Sequence, residues 1–545
     1  TRTASDSSKY FSTVLYEGSG SSQRVGNFQP FGDPFTVAKS ALFQTANSES
    51  LTRTPSGAGN RRTWTFSTWI KFASDGSSGF TIFNGYGSAS DTGTLDIVFV
   101  NDNIYLRGWS TNYMISNLKP EDTSQWGNLV MMLDTTQSTS TDRVKGYWNG
   151  VELTWSTASY PSQNVELGIN QAVLHSIGAF NNASGFMGGY LAETVFVDGT
   201  SLTASSFGQT DTSSNRWVPK AVSGLSLGTN GFYLDYSDSS DLGEDQTGSN
   251  DFTNNNTVTQ TTDSPTTNIT VLSPNRNLSG GTPSNGNRTI LTGSSQYGPI
   301  WTEMALSSGK WYWEGVVTAD TSASLFAMFG ITTGTATSTT QQLGYLPYDI
   351  GYYSATYDGG GYYINNVKIA AIGDWTLNDV MGCALDFDAM TLTFYKNNTS
   401  KAVVDLPSEG PYYPAFSDWD NSSTCTWTTR FASADWSYSA PTDHIAITQD
   451  NMTSSDQFIS AFSWIKNRDS SDNHCLFDRC RGVHKDMHSN DTAAEVTNVE
   501  TVQQFLAGGV QIGSDVELNT SGESYVLWNF MMEATGGGSS YTAGS

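Results

Sequence analysis

Short runs of alternating hydrophobic and polar residues recur along most of the chain, separated by Gly, Asn, Asp and Ser. The run RTWTFSTWIKF sends its side chains alternately to two faces, with Trp64, Phe66 and Ile70 on one of them. Similar runs follow in LDIVFV, NLVMMLD, YLAETVFVDG, GKWYWEGVV, VMGCALDF, MTLTFYKN and QFISAFSWIKNR. A two-residue period bounded by turn-forming residues predicts β-strands. We therefore expect an all-β protein with two antiparallel β-sandwiches, followed by a small β-rich module with one helix.

The spacing of these runs divides the chain into segments. A single hydrophobic core stops growing near about 250–300 residues, so a chain of 545 residues needs several domains. The expected segments are an N-terminal β-hairpin (1–35), a first sandwich (36–252), a polar linker (253–290), a second sandwich (291–439), a C-terminal β-rich module (440–535) and a flexible tail (536–545). We expect the N-terminal hairpin to pair with the C-terminal module, because this would cover strand edges that otherwise aggregate.

Three segments carry more specific predictions. DTAAEVTNVETVQQFLAGG is the best helix candidate, capped by Asp491 or Thr492 and ended by Gly508 or Gly509. YYSATYDGGGYYINN predicts a hairpin that turns at its glycines. DFTNNNTVTQTTDSPTTN is polar and has no hydrophobic period, so we expect an extended linker that lies across a neighbouring domain.

Charge and composition exclude several classes of protein. Lys and Arg total 26 against 52 Asp and Glu, for a formal net charge of −26, and the Lys/Arg clusters that bind nucleic acid are missing. No apolar stretch approaches 18 residues, so we expect no transmembrane helix. No signal-peptide pattern follows Thr1, which leaves release by lysis, display on a particle or a processed N-terminus as routes to the cell exterior. The many aromatic residues indicate a folded chain.

Histidine and cysteine come together near the C-terminus. Five residues there carry atoms that suit zinc: His474, Cys475, Cys480, His484 and His488. Their spacing does not match a zinc finger, and we favour a surface cluster whose hydrogen bonds are satisfied. A disulfide between Cys475 and Cys480 stays open, since it requires Cα atoms within about 7 Å.

An acidic run provides the one cofactor hypothesis. Asp235, Asp238 and Asp241 offer oxygen ligands for Ca²⁺, although their spacing is not that of an EF-hand. The alternative is a solvated turn in which each carboxylate accepts a hydrogen bond from nearby backbone. We expect no other cofactor.

A tyrosine-rich stretch is the candidate binding surface. The candidate ligand-binding residues are Tyr345, Tyr348, Tyr352, Tyr357 and Tyr362. Exposed tyrosine gives a large contact area at low entropic cost, which suits recognition of a protein or a sugar. The alternative is that these tyrosines alternate into the core from two strands.

Catalytic chemistry is weakly represented. The chain has only five histidines, and we expect no hydrolytic triad. Asp386 and Asp388 have the two-residue spacing of paired acids in some glucanases, but LDFDAMTLTFYKN favours a strand, a turn and a second strand. We therefore expect no catalytic residues and no enzymatic activity.

Three groups of motifs resemble known domains. SLTRTPSGAGNRRTWTFSTWIKF, with GYWNGVEL and GYLAETVFVDGTSL, resembles the laminin-G/concanavalin-like jelly roll of phage fibre proteins. SSGKWYWEGVV, GCALDFDAMTLTFYKNN and YYPAFS resemble a SPRY domain, in which loops at one end of the sandwich bind ligands. FSWIKNRDSSDNHCLFDRCRGVHKDMHSN and NTSGESYVLWNF resemble the module that follows such domains in marine phage tail and fibre proteins. The first segment resembles that module's opening strands, and together the resemblances cover most of the chain.

The resemblance implies a phage structural protein on the exterior of the virion. Such a protein would be a fibre, a tail appendage or a capsid-attached spike that displays carbohydrate- or protein-binding sandwiches for host attachment. The implied partners are other virion proteins, a host surface glycan or protein, and copies of the same chain, commonly as a trimer. Two alternatives stay open, a virion-associated polysaccharide depolymerase and a secreted lectin-like adhesin. The sequence does not distinguish a tail from a capsid location.

Overall fold

In the computed structural model, the regular secondary structure consists almost entirely of β-strands in antiparallel sheets, which confirms the all-β class. The structure describes residues 11–17, 23–26, 35–73, 79–101, 103–118, 123–211, 216–322, 324–354, 359–408, 410–420, 422–452, 458–478, 481–506 and 509–533. The predicted flexible tail, Tyr357 and Cys480 lie outside these residues. Within them, no helix has the length and apolar character needed to cross a membrane.

The first sandwich consists of two large sheets. Strands are numbered along the chain, and β1 (Phe11–Glu17) and β2 (Gln23–Gly26) precede this domain. Its strands are β3 (Ser40–Phe43), β4 (Ser50–Arg53), β5 (Thr63–Phe72), β6 (Phe80–Tyr86), β7 (Thr94–Val100), β8 (Asn103–Arg107), β9 (Asn112–Ser116), β10 (Gly127–Asp134), β11 (Val144–Trp148), β12 (Val151–Glu152), β13 (Trp155–Ala158), β14 (Leu174–Ile177), β15 (Gly189–Asp198), β16 (Gly208–Thr210), β17 (Trp217–Pro219), β18 (Phe232–Leu234), β19 (Thr253–Asn255) and β20 (Thr259–Thr261). One sheet has the order β12-β11-β10-β5-β15-β3-β20, with β18 beside β15, and the other has the order β13-β9-β8-β7-β6-β14-β4-β19.

Strand β5 is central to the first sandwich, and both of its faces are buried. Phe66 points into the core between the sheets and stacks on Phe83, with ring centroids 4.8 Å apart. The opposite face carries Trp69 and Lys71, which are also buried. Alternation along the sequence therefore separates the two faces of β5, but it does not separate a buried face from an exposed one.

The second sandwich pairs two seven-stranded sheets, β21-β24-β33-β26-β27-β28-β29 and β22-β23-β34-β25-β30-β31-β32. Its strands are β21 (Leu272–Asn277), β22 (Thr282–Ser284), β23 (Thr289–Leu291), β24 (Ile300–Thr302), β25 (Lys310–Asp320), β26 (Ala327–Thr332), β27 (Ile350–Tyr353), β28 (Gly361–Ile364), β29 (Val367–Ala370), β30 (Val380–Asp386), β31 (Thr391–Lys396), β32 (Thr399–Asp405), β33 (Tyr413–Asp418) and β34 (Cys425–Arg430). Trp313, Phe329 and Trp427 pack in the core between the sheets. Residues 445–452 return to this domain, where Ile447 and Met452 join the same core.

The segment 253–290 is extended, but it is part of both sandwiches and not a separate linker. Strands β19 and β20 pair with β4 and β3 of the first sandwich, while β21 and β22 belong to the second. Its few apolar side chains are buried, among them Val258 and Leu272. Hydrogen bonds along the sheet edges supply the stabilisation that the sparse hydrophobic pattern did not indicate.

The C-terminal module has a six-stranded sheet, β1-β41-β35-β36-β37-β38, and a three-stranded sheet, β2-β40-β39. Its elements are β35 (Phe458–Asn467), β36 (Cys475–Asp478), β37 (Lys485–His488), β38 (Val496–Thr497), β39 (Val502–Leu506), β40 (Gly509–Ile512), a one-turn helix α1 (Val516–Asn519) and β41 (Ser524–Glu533). The 3-10 turns elsewhere are Thr45–Asn47, Ser140–Asp142, Ala204–Ser206 and Ser433–Asp435.

Two predictions about this module need correction. Strands β1 and β2 pair with the C-terminal module, as expected, but they lie in different sheets and do not form a hairpin with each other. The predicted helix over 491–509 is wrong, because this segment contains β38 and β39. Its β-branched Val496, Thr497 and Val502 favour strands, and β39 finds an antiparallel partner in β40.

Removing residues 1–26 is expected to make the C-terminal module aggregate. The deletion takes away β1, which pairs with β41 over seven residues, and β2, which pairs with β40. An unpaired strand edge is a template for pairing with other chains. Size-exclusion chromatography with light scattering should show soluble aggregates of the truncated chain. A truncated chain that stays monodisperse, with an unchanged melting temperature, would contradict this role of the first strands.

Candidate functional sites

A buried polar junction connects the two sandwiches around Lys71. The side chain of Lys71 on β5 has no exposed surface. Its Nζ donates three hydrogen bonds, to Asp263 Oδ2 at 2.8 Å, Asn268 Oδ1 at 2.9 Å and the carbonyl oxygen of Ile269 at 2.7 Å. All three donors of the ammonium group are therefore used.

The partners of Lys71 extend this junction into three parts of the chain. Asp263 Oδ1 accepts hydrogen bonds from Trp126 Nε1 at 2.9 Å and from the N–H of Ile269 at 3.1 Å. Asn268 Nδ2 donates to Gln449 Oε1 at 2.8 Å, and Gln449 follows the second sandwich. The junction thus joins the first sandwich, the segment between the sandwiches and the chain that leaves the second one.

Sequence reasoning missed this junction. It placed Lys71 on a second strand face and Asp263 in a polar linker, and 192 residues separate the two. The one local signal was that Lys71, which alternates with Trp69, is the single charged residue of β5.

The structure separates the candidate tyrosines into exposed and buried groups. Tyr345 and Tyr348 lie on the loop between β26 and β27, and they are 37% and 49% exposed. Tyr352 is a core residue, because it is fully buried and its hydroxyl donates to the carbonyl oxygen of Gly373 at 2.8 Å. Tyr362 is half-buried against the same core.

Strands β27 and β28 pair antiparallel, and this pairing explains why the tyrosines divide in this way. Tyr352 lies opposite Tyr362 in the register, and burial raises the pKa of both hydroxyl groups. The prediction that Tyr352 belongs to an exposed binding surface is wrong. Tyr345 and Tyr348 present exposed rings on the preceding loop.

The acidic run forms turns. The Asp235 carboxylate accepts from the N–H of Ser237, the Asp238 carboxylate from the N–H and hydroxyl of Ser240, and the Asp241 carboxylate from the N–H of Gly243. Each carboxylate therefore accepts a hydrogen bond from the backbone N–H of the residue two positions ahead, as the solvated-turn alternative describes. Among the described residues, the three do not form a converging group of metal ligands.

Of the paired acids, Asp386 is the last residue of β30, and Asp388 lies in the turn between β30 and β31. Lys310 Nζ lies 3.0 Å from Asp386 Oδ2 and 3.8 Å from Asp388 Oδ2. Burial, which raises the pKa of Asp386, is outweighed by hydrogen bonds from the N–H of Ala389 and from Lys310, and the net pKa is lowered. A glycosidase acid needs a raised pKa to hold its proton.

The histidines and cysteines near the C-terminus take separate roles. His474 Nδ1 lies 3.0 Å from Trp464 Nε1, which donates to it. His484 Nδ1 is buried and has no hydrogen-bond partner. Cys475 and His488 are cross-strand neighbours on β36 and β37. The two come together with side chains that were not predicted, those of Asp486 and Glu517.

Two known domain families match the chain. The SPRY domain family matches residues 310–430, which confirms the SPRY assignment of the second sandwich. The four strands β21–β24 precede the matched region and complete its two sheets. A domain family of unknown function, DUF7483, matches residues 443–545. No curated protein matches the chain.

Solved SPRY domains are among the structures that are similar to part of this chain. The SPRY domain of human HERC1 is 16% identical, with a TM-score of 0.26 and coverage of 31% of this chain and 99% of that domain. The TRIM65 PSpry domain is 15% identical, with a TM-score of 0.25 and coverage of 30% and 91%. A human SPRY domain is 19% identical, with a TM-score of 0.23 and coverage of 26% and 91%.

Proposed function

We propose that this protein is a non-enzymatic structural component on the exterior of a phage virion, where it displays its β-sandwiches for attachment to a host glycan or protein. It would be a fibre, a tail appendage or a capsid-attached spike. The observation that carries the proposal is the Lys71 junction, whose buried hydrogen bonds join the two sandwiches. A display protein must hold its binding domains in a defined arrangement, and a polar network buried between domains favours one arrangement over others.

Two further observations support display over catalysis. The order of the fibre-like motifs, from the jelly-roll pattern near Leu51–Lys71 to the C-terminal module, resembles phage appendage proteins. Of the paired acids, Asp386 ends β30 and forms an ion pair with Lys310, and its pKa is lowered. Asp386 therefore does not suit the proton-donating role that the depolymerase alternative needs.

Immunogold electron microscopy tests the location. Antibody raised against the purified chain is expected to label one part of intact phage particles, and the labelled part would distinguish a tail from a capsid. Labelling of host cells alone would overturn the virion proposal in favour of the secreted adhesin. A reducing-sugar assay on host envelope polysaccharide is expected to show no release. Sugar release by the wild-type chain that is lost in the Asp386→Asn variant would favour the depolymerase alternative.

Replacing Tyr345 and Tyr348 together with alanine is expected to weaken binding to host cells by about tenfold or more. The two exposed rings supply contact area that alanine lacks, and losses above 1 kcal/mol are common at aromatic contact residues. Flow cytometry with the labelled full chain measures the binding. Trp109→Ala is the matched control, since Trp109 is a 50% exposed aromatic residue of the first sandwich. If the double variant binds host cells as strongly as the control does, the two tyrosines are not part of the attachment surface.

A further inference from the structure

Four side chains with metal-binding atoms meet in the C-terminal module. Cys475 comes from β36, Asp486 and His488 from β37, and Glu517 from α1, and one ligand atom of each lies within 4.8 Å of the others. Among the described residues, this is the one group that meets that condition. Asp486 and His488 share a face of β37 because they are two residues apart, and Cys475 is the cross-strand neighbour of His488.

Three of the six separations between these ligand atoms match those of a zinc tetrahedron, and the other three lie within 4.8 Å. His488 Nε2 lies 3.3 Å from Asp486 Oδ2 and 3.4 Å from Glu517 Oε2, and Cys475 Sγ lies 3.6 Å from Glu517 Oε2. Zinc bonds of about 2.0–2.2 Å to N and O and about 2.3 Å to S, at tetrahedral angles, separate N and O by about 3.4 Å and S and O by about 3.6 Å.

One ring nitrogen of His488, Nε2, faces the carboxylate oxygens of Asp486 and Glu517. His488 Nδ1 lies 3.0 Å from Asp491 Oδ2, where a neutral ring in the Nδ1–H tautomer donates its hydrogen. Nε2 then carries a lone pair toward the carboxylates of Asp486 and Glu517. A carboxylate that orients a metal-bound histidine from its far side is a common arrangement at zinc sites.

The buried carboxylate of Asp486 has an unsatisfied oxygen. Asp486 is 4% exposed, and its Oδ1 has no hydrogen-bond partner. The Cys475 thiol and the Glu517 carboxylate lie close to Asp486. A divalent cation would offset the cost of placing these groups together, and Cys475 would release its thiol proton to solvent on binding.

We propose that Cys475, Asp486, His488 and Glu517 form a tetrahedral zinc site that fastens the β36–β37 strand pair to α1. A thiolate, an imidazole and two carboxylates are a ligand set that favours zinc over the harder Ca²⁺ and Mg²⁺. All four positions are filled by protein, which is typical of a structural site. Cys475 and Leu518 border the module's small hydrophobic core, so the ion would brace the core at one side.

Metal analysis of the full chain tests this proposal. The chain, purified in reducing buffer with added zinc and then dialysed against metal-free buffer, is expected to retain one zinc ion. Replacement by Co²⁺ should give the intense visible bands of a tetrahedral site and a thiolate-to-cobalt charge-transfer band. A chelator should lower the melting temperature of the C-terminal module alone.

Matched variants identify the ligands. Glu517→Gln and Cys475→Ser are expected to lose zinc, and Cys475→Ser should also abolish the charge-transfer band. Glu495→Gln is the control, because Glu495 is an acid of the same module that pairs with Arg481 and lies outside the group. If Cys475→Ser does not fold, Glu517→Gln still decides, since Glu517 is partly exposed on α1. Retention of zinc by Glu517→Gln, or a wild-type chain that retains none, would overturn the site in favour of a protonated His488 between its acids.

Discussion

Replacing Lys71 with methionine is expected to lower the free energy of unfolding by about 3–5 kcal/mol. Methionine fills a similar volume but leaves the Asp263 carboxylate buried without its ion-pair partner. The substitution also removes the donors to Asn268 and to the carbonyl oxygen of Ile269. Differential scanning calorimetry is the suitable measurement, because a chain with several domains need not unfold in one step.

The control for Lys71→Met is a lysine whose ion pairs are half exposed. Lys145 lies 3.7 Å from Asp142 and 3.8 Å from Glu152 at the surface of the first sandwich. Exposed pairs contribute about 0–1 kcal/mol, so Lys145→Met should change the melting temperature little. In Lys71→Met, the transitions of the two sandwiches should separate, since the shared junction is lost. Similar melting curves for the two variants would refute a stabilising role for the junction.

The sequence predicted most of the strands because hydrophobic alternation and turn residues are local signals. It failed where pairing between distant segments determined the structure. Residues 253–290 carry little apolar side-chain area, yet they form edge strands because their backbone groups pair with β3 and β4. The segment 491–509 resembled a capped helix, but the neighbouring β40 provided a strand partner for β39.

The candidate sites show the same limit. The sequence could not show that Tyr345 is exposed and Tyr352 is buried, because both lie in one tyrosine-rich stretch. Cys475 and His488 were recognised as potential ligands, whereas Glu517 was not, because α1 follows them after three further strands, β38, β39 and β40. Spacing rules for metal sites describe ligands that are close in sequence, and this group is assembled by the fold.

Thermal stability is expected to be greatest near about pH 5 and to fall as the pH rises toward 8. Among the carboxyl groups whose pKa burial raises, four reach about 6 or 7: Asp96 about 6, Glu193 about 7, Asp349 about 6 and Asp418 about 6. The folded protein keeps protons on these groups that the unfolded chain has already released. Their stabilising contribution is complete below about pH 4 and is lost as the pH rises through 6 to 7.

Other groups set the acidic side of this optimum. Burial lowers the pKa of His175 to about 4, so the unfolded chain takes up a proton below about pH 6.5 that the folded protein does not. Between about pH 6.5 and 4, the effect of His175 on stability is opposite in sign to that of the four carboxyl groups. Protonation of Asp134 also lowers the stability of the folded protein below about pH 4. Hydrogen bonds from Thr136 and Gln137 outweigh burial and lower the pKa of this carboxyl group.

Glu193→Gln isolates the largest of these contributions. Glu193 is 7% exposed, and its carboxylate accepts a hydrogen bond from the Tyr233 hydroxyl at 2.6 Å. Glutamine keeps an acceptor oxygen but carries no charge to bury. A pKa raised from 4.5 to about 7 corresponds to at most about 3 kcal/mol at pH 8. The variant should therefore melt at a higher temperature than the wild type at pH 8 and at a similar temperature at pH 5.

Calorimetry across pH 4–8 separates this explanation from a general effect of net charge. Glu152→Gln removes the same charge from an exposed position of the first sandwich. If repulsion within a chain of net charge −26 caused the pH dependence, the two variants would shift the melting temperature alike. Burial predicts a shift at pH 8 for Glu193→Gln alone, because only a desolvated carboxylate has an ionised form that folding disfavours.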